Sequence, residues 1–156
     1  MLLCLVILTG CAGGLWEEDQ PTKVLTIHEL TSGAQDTEAF VMILESSDST
    51  PSIWLRRIPV LHSKYIEAME MTRGPRGMVG LKCSLDQHGR YLWTQIRTMY
   101  AGRTLAVLVD GELAFMWKIP ARGEDFATSI VLEGPWSRSE AAAVAAQSRR
   151  NYELMN

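Results

Sequence analysis

Apolar and polar positions alternate through "KVLTIHEL" at residues 23–30, with Leu25 and Ile27 on one side and Thr26 and His28 on the other. A period of two marks a half-buried β-strand. The unbroken apolar run in "AFVMILES" fits a strand covered on both sides, and "SIWLRRIPV" reads as a third strand interrupted at Pro59. "YIEAMEMTR" fits two periods. Tyr65, Met69 and Met71 line one strand face, yet its Glu, Ala and Met residues favour helix, and the strand is preferred. "RGPRG" then supplies a turn before a strand at "MVGLKCSLD".

The next stretch carries the clearest signals. Asp86 is placed to cap a helix whose Leu92, Gln95, Ile96 and Met99 share one face. Gly102 stands where a helix ends on a left-handed residue. "TLAVLVDGELAFMW" predicts two strands joined at Asp110-Gly111, the strongest short-range hairpin signal. "SIVLEG" is a further strand. Ser137 and Glu140 form a capping box that opens an Ala-rich helix to about Arg150, with residues 151–156 as a tail. The order α-β-β-β-α predicts a single α+β domain over 23–150, in which an antiparallel sheet carries two helices on one face.

Residues 1–10 are uncharged and nearly all apolar, too few to cross a bilayer, which takes ~20. They have the length of a signal-peptide core followed by small residues. Leu8, Thr9, Gly10 and Cys11 resemble the lipobox of bacterial lipoproteins. That resemblance implies acylation of the Cys11 thiol and cleavage just before it, so that Cys11 opens the mature chain. The Lys or Arg that opens such signals is missing, which points to basic residues upstream of Met1. The competing reading is a first strand that ends in a buried Cys11. Two or three acyl chains give firm membrane attachment where one gives little. Residues 11–22 then form a tether of at most about 35–40 Å. Ala12 follows the cysteine where inner-membrane retention often uses Asp, and this favours an outer-membrane anchor facing the periplasm. Cys83 is left as the only free thiol, a small core residue in a strand.

The 156 residues suffice for one ordinary domain, and a formal charge of −3 with scattered Lys and Arg gives no electrostatic case for nucleic acid. His28, His62 and His88 lie far apart, with no pair at metal-ligand spacing, and each reads as a surface histidine. "GPRG" and "DGE" are turn material, and Ser137 in "PWSRS" lacks the Gly-x-Ser-x-Gly elbow. No catalytic group, metal or cofactor is expected. Phe115 and Trp117 alternate with Ala114, Met116 and Lys118, and the plain reading puts the two rings in the core. A sharper one exposes Met116, or Trp54 together with Trp136, as an apolar surface for a partner segment.

Residues 52–148 resemble the head of the first periplasmic domain of SecD, the accessory subunit of the bacterial protein-export channel. The matching positions are Pro59, Val60 and Leu61; Leu85, Asp86 and Gly89; Gly102, Leu105, Ala106, Val109, Asp110 and Gly111; then Gly134, Trp136, Ser137, Glu140 and Ala141. The resemblance implies folding roles for these residues and a ferredoxin-like fold, an antiparallel sheet with two helices on one face. It also implies contact with an unfolded chain, without the membrane-spanning proton-driven motor. The expectation is a lipid-anchored, non-catalytic protein of the cell envelope whose partner is an extended polypeptide or an envelope complex. The alternatives are a small-ligand or enzymatic domain on the same scaffold, and a cytosolic protein without lipid.

Overall fold

The computed structural model describes residues 20–31, 42–44, 53–74, 77–121 and 128–156. The lipobox positions Leu8, Thr9, Gly10 and Cys11 lie outside the described residues. The strands are β1 (Leu25–Glu29), β2 (Met42–Leu44), β3 (Ile53–Leu55), β4 (Leu61–His62), β5 (Ile66–Arg73), β6 (Val79–Leu85), β7 (Thr104–Val109), β8 (Glu112–Lys118) and β9 (Ser129–Glu133). The helices are α1 (Gln87–Tyr100) and α2 (Arg138–Met155). All pairing is antiparallel, in sheets ordered β4-β1-β7-β8 and β5-β6-β9 with a separate β2–β3 ladder.

The α+β class is as the sequence predicts, but the strands do not form one sheet. Ser63 shows why. In the β4–β1 register its next partner is Leu25. Instead of continuing the ladder, the buried Ser63 hydroxyl accepts from Leu25 N at 2.6 Å and donates to Leu25 O at 2.9 Å. One side chain satisfies both backbone groups, so the chain leaves the first sheet after two paired residues. A single 3₁₀ turn, Ser63–Tyr65, then carries it into β5 of the second sheet.

Both sheets and both helices close on one core. Leu25, Ile27, Leu105, Val107, Phe115 and Trp117 face it from the first sheet, and Leu81, Cys83, Leu85, Ile130 and Leu132 from the second. The helices contribute Trp93, Ile96, Tyr100, Ala141 and Val144. On the opposite side of the first sheet, Ala106 and Leu108 pack with Leu55 of the β2–β3 ladder. Burial of the Cys83 thiol pushes its pKa up to about 12, which leaves it protonated and inert.

Local signals operate as expected at the hairpin and the caps. Asp110 and Gly111 both have positive φ (52° and 82°), as a type I′ turn requires. Asp86 Oδ1 accepts from Gly89 N at 2.6 Å, and Gly102 takes φ 73° after α1. Ser137 Oγ accepts from Glu140 N at 3.1 Å while Glu140 Oε2 accepts from Ser137 N at 2.9 Å. Hydrogen bonding to its carboxylate, first from the Ser137 side chain and then from the Ser137 backbone N–H, holds the Glu140 carboxyl below its usual range.

Three expectations are corrected. The buried face of α1 is Gly89, Trp93, Ile96 and Tyr100, whereas Gln95 and Met99 face solvent, because the two large rings claim the core side. The last helix does not stop near Arg150, and 151–156 is no tail, since α2 runs to Met155. Asn151 is buried there and binds Thr22 at both ends, through Thr22 N to Oδ1 at 3.1 Å and Nδ2 to Thr22 O at 2.6 Å. The proposed tether is therefore joined to the folded body from Thr22 onward. His28 is no surface histidine but 5% exposed.

Candidate functional site

Two clefts flank β8, the outer strand of its sheet. The first, about 500 Å³, opens between the β7–β8 turn and the start of α2. Its apolar side is Phe115, Trp136, Ala143 and Val144, and its charged rim is Lys23, Asp110, Glu112 and Glu140. Lys23 Nζ lies 3.2 Å from Asp110 Oδ2 across that rim. The second cleft, about 470 Å³, is a slot between β8 and β9, the outer strand of the other sheet among the described residues.

The slot is built from the core outward. Trp93 of α1 stacks on Trp117 of β8 with centroids 5.7 Å apart at 17°, and with Ile130 they form its floor. Three apolar side chains stand exposed around it: Met78, Met116 and Val131, between 38% and 45%. Lys118 lies on one wall and Glu133 on the other.

Of the residues singled out in the sequence, Met116 is an exposed slot residue and Phe115 and Trp117 are core. Trp54 is half-buried in β3, opposite Ile43. Trp136 does not join it in a surface patch. Only 9% exposed, it packs edge-on to Phe115 at 5.0 Å and 80°, and its indole N–H donates to Leu132 O at 3.3 Å. Gly134 permits this, because a Cβ there would come within 2.6 Å of the Phe115 ring. Sequence reading passed over Val131 and Met78. The alternation in "SIVLEG" put Val131 opposite the buried Ile130 and Leu132, and that was the available signal.

His28 and Glu29 organise the opposite side. His28 Nδ1–H donates to Arg56 O at 2.8 Å, which leaves Nε2 to accept from the Thr26 hydroxyl at 2.9 Å. Glu29 ties three elements together, through Tyr100 OH at 3.0 Å, Arg103 at 3.2 Å and Arg56 at 3.1 Å. Burial holds the His28 pKa below 6.5, partly offset by its bond to the Arg56 carbonyl, and His62 is lowered by burial, Lys64 and His28. A depressed pKa means that the unfolded chain takes up the proton first. This stability is present above pH 6.5 and is lost as pH falls through the folded value. Urea unfolding at pH 7.5 and pH 5 should show that acid loss, and His28→Gln should flatten it. An unchanged slope in the variant would refute the assignment.

Among the described residues no cluster of His, Cys, Asp and Glu could hold a metal, and no helix is long and apolar enough to cross a membrane. No protein-family model and no curated protein matches the chain. Among solved structures, it aligns over 83% of its length, at TM-score 0.58 and 16% identity, with a membrane component SecDF that enhances protein export. SecDF in its super-membrane-facing form aligns over the same share at TM-score 0.59 and 16% identity. The fold is SecDF-like. The chain spans 63% of the first SecDF chain and 19% of the second. The SecDF-like fold accounts for the two helices and the antiparallel sheets, and it assigns no residue a function.

Proposed function

We propose that this chain is a lipid-anchored protein of the bacterial cell envelope that binds extended polypeptide and performs no chemistry on it. The observation that carries this reading is the fold likeness to SecDF, described as a component that enhances protein export. Cys11 is the acylation point, with Leu8, Thr9 and Gly10 recognised before cleavage, and Ala12 directs the anchor to the outer membrane. The decisive assay compares binding of a reduced, alkylated unfolded protein with binding of its folded form. Selective retention of the unfolded form is expected, and equal or absent retention would overturn the reading.

The anchor is tested separately. Cys11→Ala should move the protein from the membrane pellet to the soluble fraction, and the wild-type chain should begin at an acylated Cys11. Unchanged fractionation would remove the lipid.

A second reading, a small-ligand or enzymatic domain, draws on the cleft at the start of α2. Its size falls within the range of ligand pockets, and its apolar side carries a few polar groups at the rim. A ligand screen that produces no shift in melting temperature would remove it.

A further inference from the structure

The two walls of the slot share a property that register alone reveals. In antiparallel ladders, residues alternate between turning both backbone groups toward the partner strand and turning both away. The bond from Leu85 N to Thr128 O, with Ser84 opposite Ser129, sets this phase in β9. Ile130 and Leu132 face β6, so the backbone groups of Ser129, Val131 and Glu133 point away from it. The bond from Ile119 N to Arg103 O, with Thr104 opposite Lys118, does the same for β8. Trp117 pairs with β7, and the backbone groups of Met116 and Lys118 point away. Those five outward residues all line the slot. Neither strand has a second partner strand among the described residues.

We propose that the slot between β8 and β9 is an acceptor for one extended segment of a partner polypeptide, held by backbone hydrogen bonds to these open edges. The proposal rests on the polypeptide-binding reading above and gives that reading its site. An extended chain is the ligand class whose amides and carbonyls match a strand edge. Met78, Met116 and Val131 offer the passing side chains an apolar rim, and methionine adapts to varied shapes. Arg97 and Lys118 bring positive charge to the slot and Glu133 brings negative charge. A segment of mixed charge complements both signs, and an uncharged acyl chain complements neither.

The test uses the full chain with a synthetic twelve-residue peptide of alternating apolar and charged residues, read by amide hydrogen exchange. Protection is expected to rise at least tenfold at Val131, Glu133, Met116 or Lys118. Val131→Pro deletes an amide that faces the slot and leaves the β6 ladder whole; it should weaken binding at least tenfold, while Val131→Thr keeps the amide and should bind as wild type. Equal weakening by both variants would mean side-chain contact rather than strand pairing, and would overturn the proposal. If Val131→Pro does not fold, the wild-type exchange pattern decides. Peptide binding with protection confined elsewhere would overturn the slot and leave polypeptide binding standing; no binding would overturn both. Slot amides protected in the free chain in a concentration-dependent way would assign the edges to a second copy, and would also overturn it.

Discussion

Trp117→Ala is expected to lower the unfolding free energy by about 3–5 kcal/mol, the usual cost of truncating a large buried ring. Trp117 is 6% exposed and lies over Trp93, itself 5% exposed, so truncation removes one half of a stacked pair. That pair joins β8 to α1, and it stands where the two sheets meet without hydrogen-bonding to each other. Among the described residues no strand ladder joins β8 to β9, so side-chain packing carries the junction. Domains of this size are stable by only about 5–15 kcal/mol, so the loss is a large share of the total. Urea titration measures it directly. A loss below 1 kcal/mol would mean that the junction is held by something other than this pair.

Gly89→Ala reverses the sign that helix propensity assigns. Within a helix, alanine is favoured over glycine by about 1 kcal/mol. Here a Cβ would sit 2.6 Å from the Tyr65 carbonyl oxygen and 3.1 Å from Tyr65 Cβ. That carbonyl is backbone and already accepts Asp86 N at 3.1 Å, so it has little room to yield. For the helix to retreat, it would have to stretch the 2.6 Å cap between Asp86 and Gly89. We expect a net loss of about 1–3 kcal/mol, the usual range for overpacking. A higher denaturation midpoint than wild type would show that α1 can stand clear of the 3₁₀ turn.

Gly89 also illustrates what could be read from the chain. It stood out as part of a matching pattern, but its purpose, letting a helix touch the carbonyl of a residue 24 positions earlier, is a property of two segments at once. The same holds for Gly134. A glycine before Pro135 reads as turn material, and only the Phe115 ring opposite it explains why no side chain fits and why Trp136 turns inward. The candidate surface of Trp54 with Trp136 failed on that point. Met116 kept its exposure because it lies on the outward face of an edge strand, which alternation does encode.

Short-range chemistry was written in the sequence: the Asp110-Gly111 turn, the caps at Asp86 and Ser137, the strand periods and the left-handed Gly102 each depend on neighbours a few residues away. Tertiary structure alone decided the division into two sheets, the rotation of α1, the docking of Thr22 on Asn151 and the slot. Each of these depends on which distant group satisfies a buried backbone atom or fills the space beside a ring, as the Ser63 hydroxyl does for Leu25 across 38 positions. Local pattern fixes how an element begins, ends and alternates, but hydrogen-bond satisfaction and close packing between remote segments fix where it goes.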